Sequence, residues 1–353
     1  YRKSGLLSRA VSCYCDALLL RPNHVDLHFN LGVTFIELGN YDEAILHFKK
    51  TLDLKSDHFA AIFKLGITFS NQCKFDEAQK YFQNLIDLKP DFSPAYREIG
   101  NIFFDKGQRE LAIQAYQKVI NIDSENYECR VALMASQLQG VYESDHDIDE
   151  SRDRFIEKLT ELENFYSQHP DIQLDPMIVG MYFPFYLAYC ERDNRELLLR
   201  HGTLMTRIME AWYEKQKFCK PNPVSRDRIC IGIISSHTHE HSVWQAITKG
   251  LISKLDSAKF EIFLFGLATV RDDETIFAKT HAAGFFQGNF SLHQWVEKIQ
   301  CVSPDILIYP EIGMDRMTIR LACLKLAPTQ IVAWGHPETT GIPAIDYYWS
   351  SEM

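Results

Sequence analysis

The chain has 353 residues, 46% of them hydrophobic and 24% charged, enough to bury sizeable cores and too apolar for a disordered or fibrous protein. Asp and Glu number 47 against 37 Lys and Arg, for a net charge of −10, the wrong sign for a protein whose affinity comes from phosphate neutralisation, so nucleic acid is not the expected partner. The nine cysteines are odd in number and never spaced C-x-x-C, which points away from a disulfide framework or zinc ribbon and toward a reducing cytoplasm, and no apolar run approaches the roughly 20 residues of a membrane span.

From the N-terminus, residue classes recur at a spacing of 34. Ala10, Ala44, Ala78 and Ala112 fall in register, as do Tyr14, Phe48, Phe82 and Tyr116, and Gly32, Gly66 and Gly100. Such a period marks stacked helical hairpins in which Gly and Ala let two helices approach and the aromatics fill the space between them. Gly39 and Gly107 mark turns, and Pro22 and Pro90 close second helices. The pattern resembles the tetratricopeptide repeat and covers residues 1–138. Gly5, Ala10, Tyr14 and Pro22 belong to a unit lacking its first helix, so the N-terminus reads as cut. The array is expected either to bind protein or peptide partners in its groove or to act as a spacer. The exposed column on the first helices reads Asn30, Lys64, Glu98.

After a partial closing helix from Tyr127 to Leu138, the acidic stretch ESDHDIDESRD reads as a linker and Phe155 to Tyr166 as an amphipathic helix. A second helix carries Leu197, Leu198, Leu204, Met205, Ile208 and Trp212 at helical spacing. Residues 139–225 thus form a helical connector, and KPNPVSRD marks the boundary to a third region, 226–353. There RICIGIIS, FEIFLFGL, DILIYP and TQIVAW are short β-branched runs separated by helical segments, the signature of a parallel sheet with helical crossovers. The fold class is therefore α, a repeat superhelix, followed by α/β with Rossmann-like topology. Ser242 with Gln245 and Ser291 with Gln294 have capping-box spacing. No G-x-G-x-x-G follows the first strand, so a dinucleotide site has no support.

Ligands of open parallel sheets sit beyond the C-terminal strand edge, and three loops leave such edges. The first holds His237, His239 and His241. Its spacing does not match H-x-H-x-D-H and no second ligand cluster accompanies it, so no metal is expected; an imidazole before a helix is a hydrogen-bonding base or packs on the sheet edge. The second runs from Pro310 through Glu311 to Asp315, an expected N-cap. The third, Trp334 to Gly341, is dense in Gly, Pro and hydroxyls, turn chemistry first and a ligand cradle second.

The stretches ICIGIISSHTHEHS, FEIFLFGL and LACLKLAPTQIVAWGHPETTGIPAIDYYWS resemble the N-terminal catalytic lobe of the O-linked N-acetylglucosamine (O-GlcNAc) transferase family, bacterial and SPINDLY-like branch. The strongest match is the Ala-Pro-x-Gln and Trp-Gly-x-Pro-x-Thr-x-Gly spacing, and FYLAYCERDNRELLLRHGTLMTRIM resembles the helical segment that precedes the lobe in bacterial members. The resemblance implies a two-lobed, inverting glycosyltransferase that moves a sugar from a nucleotide-sugar donor such as UDP-GlcNAc to Ser or Thr hydroxyls of proteins, with no further cofactor and no essential metal. His241 matches the histidine of the family's Asn-His-Pro/Ser loop, with Glu240 in place of Asn and Ser242 in the Ser alternative. The implied catalytic residue is His241, and the implied acceptor and donor cleft comprises His239, Ser242, Glu311, Gly335, His336, Pro337, Thr339, Thr340 and Gly341. His336 stands where many members carry Tyr, and of the asparagine column that grips peptides in the family only Asn30 is present. No second βα series follows Trp349, so the C-terminus reads as cut, and this chain by itself is expected to be inactive. The alternative is a non-catalytic repeat scaffold with a remnant α/β lobe.

Overall fold

A computed structural model describes residues 6–169, 172, 174–218, 226–334 and 339–350. Two compact units divide the chain, residues 1–137 and 138–353. The connector and the α/β region belong to one unit, where three regions were read from the sequence.

The first unit is a run of antiparallel helix pairs. A lone α1 (Leu7–Leu20) precedes the pairs α2 (Val25–Glu37) with α3 (Tyr41–Leu54), α4 (Phe59–Asn71) with α5 (Phe75–Leu88), and α6 (Ser93–Asp105) with α7 (Arg109–Ile122); α8 (Tyr127–Ala135) closes the run. Each pair is locked by one glycine under one ring. A Cβ built on Gly32, Gly66 or Gly100 would lie 2.8, 2.6 and 2.6 Å from the rings of Phe48, Phe82 and Tyr116, so the aromatic fills the volume that the glycine leaves. Ala44, Ala78 and Ala112 are wholly buried in the same interfaces.

The turn between the helices of a pair needs a left-handed residue. Gly39 and Gly107 supply it at φ 75° and 71°, but the equivalent position of the middle pair is Cys73, at φ 58°. A side chain there costs about 1–2 kcal/mol, which glycine would not. Cys73→Gly is therefore expected to raise stability by up to about 1 kcal/mol, measured by urea unfolding, with the gain reduced by the extra freedom of glycine in the unfolded chain.

The second unit opens with α9 (Asp145–Gln168). This helix starts ten residues before Phe155, inside the acidic stretch expected to be a linker. Ser144 caps it by accepting from the Asp147 amide, and Asp145 and Asp147 occupy the first turn, where negative charge complements the helix dipole. Then comes α10 (Arg195–Gln216), followed by alternating β1 (Ile229–Ser235), α11 (Lys249–Lys254), β2 (Phe260–Gly266), α12 (Asp273–His281), β3 (Gly284–Gln287), α13 (Leu292–Val302), β4 (Ile306–Tyr309), α14 (Arg316–Ala322), β5 (Thr329–Ala333) and β6 (Tyr347–Trp349). All six strands pair in parallel in the order β3-β2-β1-β4-β5-β6. That order reverses between β1 and β4, which opens a crevice at their C-terminal ends.

The connector packs on this sheet's helices and loops through backbone contacts. Arg320 of α14 donates to the carbonyls of Val179 and Met177 at 2.9 and 2.7 Å. Gly202 of α10 lies against Gly341 and Gly341 against Leu198, so close that a Cβ on either would fall within 2.2 Å of the opposing backbone.

Candidate functional site

The crevice between β1 and β4 is floored by one carboxylate. Glu311, just beyond β4, is wholly buried and accepts from the Ser236 amide at 2.8 Å, from the Ser236 hydroxyl at 3.1 Å, and from the Ser235 hydroxyl at 3.0 Å to each oxygen. It therefore lies beneath the loop that follows β1 and ties that loop to β4. The Ser235 hydroxyl in turn accepts the His237 amide at 2.9 Å. From the other side, the start of α12 holds the same loop: Asp272 accepts the Glu240 amide at 2.8 Å and the Thr275 hydroxyl donates to the Thr238 carbonyl at 3.1 Å.

Between these two anchors stand three histidines. The rings of His237 and His241 stack face to face, 3.6 Å between centroids and 8° from parallel, and His239 lies 5.7 and 6.1 Å from them. Neither ring nitrogen of His237 and not Nδ1 of His239 has a hydrogen-bond partner, nor does the Thr238 hydroxyl. Nδ1 of His241 accepts the Val243 amide at 3.2 Å. When the ring is neutral that bond leaves its proton on Nε2, so His241 presents a donor rather than a lone pair.

His241 also corrects the expected helix start. The Gln245 amide bonds back to the His241 carbonyl at 3.0 Å, and Gln245 extends its side chain to Glu240 and Glu274 at 2.9 and 3.1 Å instead of closing a box with Ser242. The helix begins one residue earlier than the Ser242 spacing suggested, and Ser242 is exposed on its first turn. Trp244–Thr248 is a π-turn in which buried Trp244 donates to Glu274 at 2.6 Å. The capping box expected at Ser291 and Gln294 is formed, and Asp315 caps α14 through the Met317 and Thr318 amides.

The third loop leaves β5, beside β4, on the same edge of the parallel sheet. Gly335, His336 and Pro337 lie outside the described residues. Thr339 is exposed, Thr340 is buried with its hydroxyl accepting the Ile342 amide at 3.3 Å, and Gly341, at φ 65°, is pressed on α10 and faces away from open space. Asn30, Lys64 and Glu98 are half-buried at equivalent positions of α2, α4 and α6, in the first unit. Glu98 is paired with Arg97 at 2.8 Å. Among the described residues no group of three or more His, Cys, Asp or Glu is arranged to hold a metal ion, and no helix is long and apolar enough to cross a membrane.

Charge at this site is set by burial. Glu311 has no cationic partner in its set of bonds, and desolvation pushes its carboxyl up to about 7 against the pull of the serine donors. Desolvation and the neighbouring His241 and His239 push His237 down to about 4, and burial alone does the same to His201 in α10. Two opposite contributions to stability follow. Between about pH 4 and 6.5 the unfolded chain binds the protons of His237 and His201 that the folded chain refuses, so stability rises with pH. Between 4.5 and about 7 the folded chain holds a proton on Glu311 that the unfolded chain has lost, so that term falls with pH. The histidine pair outweighs the single carboxyl until the two slopes cancel near pH 7. Thermal melts across pH 5–8 are expected to rise to a plateau near pH 7, and Glu311→Gln should steepen the rise below it.

The residues that the sequence did not single out are Ser235, Ser236 and Asp272, which hold the histidine loop. Their signal is present but unremarkable: two serines ending a strand and an aspartate directly after an arginine have ordinary structural readings.

Repeats and a Rossmann-like α/β unit with a histidine-lined crevice at its switch point define the class of protein. The tetratricopeptide-repeat family matches residues 25–58 and 63–127. The chain combines these repeats with the fold of the O-GlcNAc transferases: it superposes on a mutant O-GlcNAc transferase of Thermobaculum terrenum with a TM-score of 0.51 at 15% identity, covering 92% of this chain and 53% of that one. It is also similar to the UDP-glucose:protein N-beta-glucosyltransferase of Actinobacillus pleuropneumoniae serotype 5b, 29% identical over 123 residues, which make up 33% of this chain and 18% of the relative. The structure of MamA matches 47% of this chain and 94% of its own at 26% identity, with a TM-score of 0.41. The chain thus spans about half of the first of these structures and less than a fifth of the curated relative.

Proposed function

We propose that the chain is the repeat region and first α/β lobe of a glycosyltransferase that moves a sugar from a nucleotide-sugar donor to protein side chains. The observation that carries this reading is the histidine loop at the switch point of a sheet whose chain shares its fold with an O-GlcNAc transferase and part of its sequence with a UDP-glucose-dependent enzyme. In the reaction the acceptor atom bonds to the anomeric carbon as the bond to the diphosphate breaks, inverting that carbon, and the acceptor's proton passes to a base. His241 offers its Nε2 hydrogen to an oxygen in the crevice, and His237, kept neutral by burial, backs its ring. His239, Ser242 and Thr339 border the space where substrate would lie. The repeats recruit the acceptor protein, with Asn30, Lys64 and Glu98 along the first helices, in a cytoplasmic setting.

Two acceptor atoms are in play. A Ser or Thr hydroxyl follows from the resemblance to O-GlcNAc transferases; an asparagine amide follows from the N-linkage made by the glucosyltransferase relative. Incubating the natural full-length polypeptide with UDP-glucose or UDP-GlcNAc and paired peptides, one with its hydroxyls and one with its asparagines removed, and locating the added mass by fragmentation decides between them. Absence of added sugar on either peptide from either donor would remove the reading.

A further inference from the structure

We propose that Glu311 is the positioning residue of this site: buried beneath the loop after β1, it holds Ser235 and Ser236 so that His237 and His241 stack into the crevice. The geometry points to this because the loop has few other means of keeping its shape. The side chains at its centre make no hydrogen bonds of their own, since both nitrogens of His237, Nδ1 of His239 and the Thr238 hydroxyl are unpartnered. What holds the backbone is the Asp272 and Thr275 anchor toward β2 and the Glu311 anchor toward β4.

The Glu311 anchor acts at the root of the stack. One carboxylate oxygen takes the Ser236 amide, and the Ser235 hydroxyl that donates to Glu311 also accepts the amide of His237. The chain of bonds therefore runs from β4 through Glu311 and Ser235 to the first ring of the stack, 3.6 Å from the second. A buried carboxylate fed only by neutral donors is costly to keep, and a packed apolar residue would serve stability at least as well. Its presence fits the need for an acceptor at this point. Because the required feature is an acceptor oxygen rather than a charge, glutamine at 311 keeps the bond to the Ser236 amide while alanine removes it.

The test has a spectroscopic arm that does not depend on the enzymatic reading and an activity arm that rests on it. In NMR spectra of the labelled chain, the ring protons of His237 and His241 sit over one another's faces and are expected upfield of ordinary histidine signals. Glu311→Ala should return them to ordinary positions, and Glu311→Gln should leave them upfield. If Glu311→Ala does not fold, Ser235→Ala, which removes the hydroxyl linking Glu311 to the His237 amide, is expected to give the same loss. In the full-length enzyme Glu311→Ala should lower kcat by about 10²-fold, with Glu311→Gln close to wild type. Upfield signals that persist in folded Glu311→Ala, or in Ser235→Ala where that variant is the one used, would overturn the proposal, as would a Glu311→Gln variant that loses them. Loss of the stack in alanine but not glutamine, together with no sugar transfer by wild type, would leave the positioning role standing and remove the glycosyltransferase reading.

Discussion

Gly202→Ala and Gly341→Ala should each destabilise the second unit by more than about 4 kcal/mol or prevent its folding, the largest stability effects expected in this chain. Overpacking a core ordinarily costs about 1–3 kcal/mol because side chains shift to make room. Here the obstruction is backbone. A Cβ on Gly202 would lie 2.2 Å from the carbonyl oxygen of Gly341, and one on Gly341 would lie 2.1 Å from the carbonyl of Leu198, neither of which can rotate away. Gly341 carries the further cost of φ 65°. Gly250 in α11 is the control, because nothing lies within 4 Å of an added Cβ and alanine there should gain up to about 1 kcal/mol from helix propensity. Urea unfolding of the three variants checks the contrast. The contact bears on function because it clamps the end of the loop after β5 to α10.

His241→Ala in the full-length polypeptide should lower turnover by about 10²-fold or more while changing the melting temperature little. The ring stands at the C-terminal edge of the sheet, one face on His237, with Nδ1 committed to the Val243 amide. Its removal costs the helix one cap bond, about 0.5–2 kcal/mol, and costs the crevice a histidine whose free nitrogen carries a defined donor. His241→Asn separates the two roles, since an asparagine oxygen can cap the Val243 amide without presenting the ring. The expected outcome is a melting temperature near wild type with turnover still depressed. Transfer rates within a few-fold of wild type in both variants would make His241 structural.

Much of the fold was legible because its signals are periodic. The 34-residue register placed Gly32, Gly66 and Gly100 opposite Phe48, Phe82 and Tyr116, the packing found, since a recurring small-large pair has few meanings other than close helix approach. Four of the six strands announced themselves as β-branched runs. Strand β3 did not, being four residues long with only two adjacent phenylalanines after Gly284, and its place at the sheet edge comes from pairing with β2. The acidic start of α9 was hidden because a charge run looks the same as a linker until its capping serine is seen. At the site, the loops could be read from where strands end, but their coupling could not. Glu311 and Ser236 are 75 residues apart, and nothing local says that one lies under the other. Likewise the spacing of Ser242 and Gln245 satisfied a capping rule that the His241 ring satisfies instead.

The most direct test of the account is sugar transfer by the full-length polypeptide from a UDP-sugar to a protein or peptide acceptor, followed by intact-mass spectrometry with wild type and His241→Ala side by side. The account predicts acceptor mass increasing by one sugar unit only when the nucleotide sugar is present, at a rate cut by about 10²-fold in the variant. An acceptor that stays unmodified with every nucleotide sugar tried, from a protein shown to be folded, or transfer that is indifferent to His241, would contradict it.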